Sequence, residues 1–143
     1  MLCRGVLNDL VEDADRERAF KAFASWLRPG GMLLVDVRDL ESSRRRYAQQ
    51  RTFAETAQRD DDVLTFESVT SIQPGSDRLE LIERWQGTVA GERVAVKTRF
   101  EMRCWTWDVL ERSALTAGFR TVVAQEPRVL GAHSDRLVAA ALR

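Results

Sequence analysis

Apolar residues follow different rhythms along the chain, and each rhythm predicts a different element. Between 15 and 27, Ala19, Phe20, Phe23, Trp26 and Leu27 recur at three- and four-residue steps, while Arg16, Glu17, Arg18 and Lys21 lie mostly off that stripe. The spacing predicts a helix with one apolar face. Pro29 cannot continue a helix, and Gly30-Gly31 supplies the positive φ angles of a turn. The next six residues, 32–37, form an apolar run of strand length without alternation, the mark of a strand covered on both faces. Asp36, Arg38 and Asp39 fall at or just past its carboxyl end, where open α/β sheets bind ligands.

Residues 40–57 are polar and rich in helix formers, which predicts one helix with an irregular end or two short ones. From 62 to 104 the character changes. Runs of β-formers at 63–72, 79–85 and 94–102 are separated by the turn signals Pro74-Gly75-Ser76-Asp77 and Ala90-Gly91-Glu92. They predict a three-stranded antiparallel meander with one packed and one wet face. On that alternation Trp85, Trp105 and Trp107 read as core rather than as a cage for substrate. Thr106 caps a helix over 107–117, with Val109, Leu110, Ala114 and Leu115 inward and Gly118 ending it. Two further strands, 120–125 and 137–142, are joined across Gly131. The opening residues 1–6 are short, apolar and abrupt, as in a chain that begins partway through a larger fold, because a buried strand needs neighbours for its backbone. The pattern is that of a single α/β domain over 1–143.

Composition narrows the function classes. With 143 residues, 44% of them hydrophobic, the chain can bury a core. Its 22 basic and 22 acidic residues are mixed and cancel to a formal net charge of +0, which gives no reason to expect nucleic acid or an anionic membrane as partner. The local run Arg44-Arg45-Arg46 reads as a solvated helix face or as a contact for an anionic substrate. No apolar stretch is long enough to span a bilayer and no signal-peptide pattern opens the chain. Cys3 and Cys104 read as buried free thiols of a cytoplasmic protein, and with His133 the single histidine, too few ligands are present for a metal site.

Three segments carry a resemblance. Leu27-Arg28-Pro29-Gly30-Gly31 followed by Met32-Leu33-Leu34-Val35-Asp36 resembles the helix-to-fifth-strand junction of class I S-adenosylmethionine-dependent methyltransferases. Cys3-Arg4-Gly5-Val6-Leu7-Asn8-Asp9-Leu10 resembles the end of that family's fourth strand and the loop after it. Trp107-Asp108-Val109-Leu110 with Ala117-Gly118-Phe119 resembles its last helix and the start of the closing strand pair. The resemblance implies a partial Rossmann-like sheet ordered as the family's fourth, fifth, seventh and sixth strands. It makes 62–104 an inserted lid or wall over the acceptor site. It implies S-adenosylmethionine as cofactor, a small-molecule acceptor and transfer of a methyl group.

The family's Gly-x-Gly loop, where backbone amides and a helix N-terminus meet the cofactor, has no counterpart here: Gly30-Gly31 follows a helix rather than preceding one. The resemblance thus covers the C-terminal half of the catalytic fold, and the fourth strand is left as an edge. An apolar edge invites a second chain, so a homodimer or a partner chain over the first strand is expected. The alternative is a non-enzymatic binding module, or a degenerate remnant, using the meander as a sheet surface. By resemblance the remaining cofactor wall is Cys3, Arg4 and Gly5. Gly5 either admits a close backbone approach or only eases a turn. On the acceptor side stand Asn8, Arg38 and Tyr47. Asn8, with Asp9, reads equally as a helix cap, and Tyr47 as a packing residue. Asp36, Asp39, Tyr47 and His133 are the conceivable bases for a proton released on methyl transfer. Strand-end aspartates also cap and turn, and His133 lies in a hairpin loop, so no base is assigned.

Overall fold

The computed structural model describes residues 1–131 and 135–143. The described residues form two four-stranded sheets and three α-helices. Strand β1 (Leu2–Arg4) leads through a 3-10 turn at Val6–Asn8 into helix α1 (Asp13–Trp26). Strand β2 (Met32–Arg38) and helix α2 (Leu40–Arg46) follow. The second sheet is β3 (Arg51–Arg59), β4 (Asp62–Ile72), β5 (Arg78–Val89) and β6 (Glu92–Arg103). Helix α3 (Trp107–Thr116) then returns the chain to the first sheet, which β7 (Thr121–Gln125) and β8 (Arg136–Leu142) complete.

The first sheet has the order β1-β2-β8-β7. β1 and β2 run parallel, pairing Leu2 with Leu34 and Arg4 with Asp36; β8 lies antiparallel to both β2 and β7. β1 is an edge strand. The expectation of a strand covered on both faces holds for one of them: Leu33, Val35 and Val37 are buried in a core with Phe20 and Ala24 of α1, Leu110 and Ala114 of α3 and Phe119 just after it, whereas Met32 on the other face is 49% exposed. Thr106 caps α3 as expected, its hydroxyl accepting from the Val109 amide at 3.4 Å. Thr106→Ala should lower stability by about 1 kcal/mol in urea unfolding, the usual worth of such a cap.

The structure corrects several expectations. The meander has four strands, not three, and starts at Arg51 rather than 62; α2 stops at Arg46, and β3 pairs with β4 from Arg51–Thr70 to Arg59–Asp62. β3 escapes pattern reading because all nine of its residues are exposed, so no burial forces an apolar alternation. The meander's apolar face is packed only at its base, where Leu79 and Leu81 join Leu40, Tyr47 and Cys104 in a second core. Farther out, Phe53 (55% exposed), Trp85 (38%) and Val96 stay open to solvent, with the Phe66 and Trp85 rings in tilted contact, centroids 4.4 Å apart. The opposite face carries cross-strand pairs of charge, Arg78 with Glu101 at 2.9 Å and Arg99 with Glu80 among them. At Gly87 the sheet is so close that a Cβ would sit 1.9 Å from the Val63 carbonyl oxygen, which leaves room for glycine alone.

On the helices, Trp26 (67% exposed), Val109 and Leu115 face solvent, because each lies at the margin of its stripe beyond the reach of the sheet. Arg16 reverses its expected place. It is 3% exposed, with its guanidinium carbon 3.8 Å from the centroid of Trp105. It donates to the carbonyls of Leu10 (2.8 Å), Arg103 (2.9 Å) and Cys104 (3.3 Å). A cation stacked on indole with its donors matched can be buried where an unpaired one cannot. Burial, with the Arg103 guanidinium adding repulsion, pulls its pKa down to about 10, so it stays charged at neutral pH. Arg103 completes the fastening, donating to Asp77 and Asp13 at 2.6 Å each. These arginines tie the start of α1 to the base of the meander and so fix one sheet against the other.

Candidate active site at the carboxyl ends of β1 and β2

β1 and β2 are parallel, so their carboxyl ends open at one mouth. Gly5 begins it. The chain turns there with φ +71, the left-handed region that glycine enters freely, and the Gly5 amide donates to the Asp36 carbonyl at 2.8 Å. Asn8 then clamps both strand ends. Its Nδ2 donates to the Gly5 carbonyl at 2.8 Å and its Oδ1 accepts from the Arg38 amide at 3.0 Å. Asn8 is buried and does not cap α1, whose N-cap position is Glu12. The nitrogen and the oxygen of its side-chain amide are both spent on holding the turn, as buried polar groups must be.

Arg38 and Tyr47 meet across the mouth. The Arg38 guanidinium lies 3.4 Å from the Tyr47 phenol oxygen, and its buried Nε has no hydrogen-bond partner among the described residues. Tyr47 follows α2 directly, with its ring buried in the second core. Packing and a polar contact are therefore both true of it.

Asp36 is buried and accepts from Arg136 Nε at 2.5 Å; a second donor of that guanidinium reaches the Asp36 carbonyl at 3.3 Å. The same Arg136 lies 3.3 Å from where a Cβ on Gly5 would be. Asp39 caps α2, accepting from the Ser42 amide at 2.6 Å. The two aspartates thus hold an ion pair and a helix end. His133 lies outside the described residues. Cys3 is buried in β1 beside Val35, and burial pushes its thiol pKa up. Arg4 is placed by its backbone register opposite Asp36.

Sequence reasoning brought Gly5, Asn8, Arg38 and Tyr47 to one place but missed Arg136. That residue opens β8, a hundred positions after its partner, and nothing in the local pattern marks it. Among the described residues no group of three or more His, Cys, Asp or Glu is arranged to hold a metal, and no helix is long and apolar enough to cross a membrane.

No protein-family model matches the sequence, and no curated protein matches it either. Solved structures do match the fold. An S-adenosylmethionine-dependent methyltransferase from Clostridium acetobutylicum superposes with a TM-score of 0.72 at 13% identity, over 99% of this chain and 57% of its own. The sugar N-methyltransferase KedS8 from Streptoalloteichus reaches 0.81 at 13% identity, over 99% and 54%. CalS10, an amino pentose methyltransferase from Micromonospora echinaspora, reaches 0.70 at 16% identity, over 99% and 56%. The chain spans a little over half the length of each of these proteins. Its fold is that of the corresponding part of an S-adenosylmethionine-dependent methyltransferase.

Proposed function

We propose that this chain contributes the acceptor side of an S-adenosylmethionine-dependent methyltransferase acting on a small molecule. The observation that carries the reading is the mouth itself: two parallel strands end together at a left-handed glycine, flanked by an arginine with a buried, unspent Nε and by a phenol. In this reading β1, β2, β8 and β7 correspond to the family's fourth, fifth, seventh and sixth strands, and the meander is the inserted wall over the acceptor. The protein is cytoplasmic.

The cofactor, when bound, supplies an electrophilic methyl group on a sulfonium. Cys3, Arg4 and Gly5 present the backbone of β1 to it, and Gly5 has no side chain to obstruct the approach. Arg38 and Tyr47 orient the acceptor, and Asn8 keeps both strand ends in register. The chain's own contribution to rate is alignment of nucleophile, carbon and leaving sulfur. Asp36 and Asp39 are committed to Arg136 and to the α2 cap, so neither is assigned as a base. The outer edge of β1 is where a second copy or a partner chain completes the sheet and the rest of the cofactor site.

A second reading has its own observation. The open apolar row of Phe53, Phe66, Trp85 and Val96 suits a non-enzymatic interaction module that docks a partner on the meander.

Calorimetric titration with S-adenosylhomocysteine separates the two. The methyltransferase reading expects saturable binding near or below about 100 μM, roughly −5.5 kcal/mol, and its loss in Gly5→Val. Melting of the variant, followed by circular dichroism, shows whether it is still folded. No heat from the folded wild-type chain overturns cofactor binding by this chain and its own copies, and leaves a remnant or a partner-dependent module.

A further inference from the structure

We infer that the arginines between α2 and β3 form a subsite for a phosphoryl group carried by the acceptor; the inference rests on the reading of the neighbouring mouth as the acceptor side. Two adjoining clefts open there, of about 570 and 460 Å³, and Arg45, Arg46 and Arg51 line both. Ser42 and Asp135 complete one wall and Gln49, Gln50 and Thr52 the other.

The three arginines differ in how they are neutralised. Arg46 donates to Asp135 at 2.6 Å. Arg45 donates only to the Ser42 hydroxyl, at 2.9 Å, and among the described residues neither Arg45 nor Arg51 has a carboxylate within ion-pair distance. Arg44, the third member of the run, is different. It pairs with Glu41 at 3.0 Å and lines neither cleft. Three guanidiniums against one carboxylate leave the cleft with two positive charges, in a chain whose formal net charge is +0. Like charges gathered this way raise the local potential and attract a counter-ion. Guanidiniums suit phosphoryl oxygens because each offers paired N–H donors in a plane. A phosphate monoester or a diphosphate ester carries about two negative charges at neutral pH and would balance the cleft.

The cleft also stands where an acceptor's far end would reach. Asp135, which holds Arg46, accepts from the Asp39 amide through its carbonyl at 3.2 Å. The next residue, Arg136, pairs with Asp36 in the mouth. An acceptor anchored at Arg45 and Arg51 would therefore lie along α2 toward Arg38 and Tyr47.

The test is a calorimetric titration of the full chain with inorganic pyrophosphate at constant ionic strength, without any S-adenosyl ligand. Saturable one-to-one binding is expected, weakened at least about tenfold in the exposed-site variant Arg45→Gln/Arg51→Gln and changed less than about twofold in Arg44→Gln. Malonate, a dicarboxylate of similar charge, is expected to bind more weakly than pyrophosphate. Melting curves show that a loss of binding is not a loss of fold, and Arg45→Gln alone, expected to weaken binding about threefold, replaces the double variant if that does not fold. Absence of saturable binding, equal binding by all variants, or malonate binding as tightly as pyrophosphate overturns the inference. Because S-adenosylhomocysteine plays no part in this readout, failure here leaves the methyl-transfer reading standing, and failure there leaves the anion subsite measurable.

Discussion

Trp105→Ala is expected to cost about 4 kcal/mol of folding stability, the upper range for emptying a large aromatic from a packed core. Trp105 is 1% exposed and sits where the two sheets meet. Its ring is edge-on to Phe20 at 5.9 Å, and it carries the Arg16 guanidinium on its face at 3.8 Å. Its backbone amide donates to the Arg38 carbonyl at 2.9 Å, and its carbonyl accepts from the Leu40 amide at the same distance. Truncation removes the packing and the surface that makes a buried arginine tolerable, so two costs arise together. Urea unfolding with an unchanged slope would report it as a lower midpoint. Trp85→Ala, on the open row of the meander, should cost less than about 1 kcal/mol by the same measurement. Equal costs at the two positions would contradict the assignment of Trp105 as the joint between the sheets.

The contrast between these tryptophans shows what the sequence can and cannot carry. Alternation places Trp85, Trp105 and Trp107 in β-rich or flanking segments, and alternation alone predicts all three as core. Burial depends on whether anything lies over that part of the sheet. Leu40 of α2 and Tyr47 just after it cover the base of the meander and stop before Trp85, and no local pattern encodes where a covering element stops. β2 is the opposite case. Its face with Leu33, Val35 and Val37 is buried in the core along its length, while Met32 on the other face is 49% exposed, so the apolar run marks the strand but overstates its cover. β3 was hidden because full exposure lets polar residues occupy every position, Arg51 and Thr52 included.

The site divides in the same way. Gly5, Asn8 and Arg38 of the candidate mouth stand out in the sequence because strand ends, turns and glycine have local signatures. The partners that decide their chemistry come from far along the chain. Arg16 looks like a surface residue of an amphipathic helix, and only the approach of Trp105, Arg103 and Cys104 makes its burial favourable. Arg51 joins Arg45 and Arg46 only because β3 begins directly beside the end of α2. Charge runs are legible, but whether a run is neutralised is settled by neighbours that tertiary structure supplies, as Glu41 does for Arg44.

Asp36→Leu is expected to cost about 3 kcal/mol or more, since removing one partner of a buried ion pair strands the other. The Arg136 side chain is 14% exposed, and among the described residues it donates to Asp36 twice, once to the carboxylate and once to the backbone carbonyl. Leucine keeps the branched outline of the side chain and takes away the acceptor for Nε, so a charged donor is left in a place water reaches poorly. Adding Arg136→Met should return at least about 1 kcal/mol of that loss, because an apolar pair of similar size needs no partner. The urea midpoints of the two single variants and the double variant close the cycle; simple additivity would mean that the pair is not an energetic unit. The cycle bears on function because of where the pair sits. Asp36 and Arg136 join β2 to β8 at the mouth, and the guanidinium rests against Gly5. If the pair is coupled as expected, the position of Gly5 is held by an interaction between residues a hundred apart. On the methyltransferase reading proposed above, the wall offered to the cofactor is then set by the closure of the whole sheet rather than by the turn that contains the glycine.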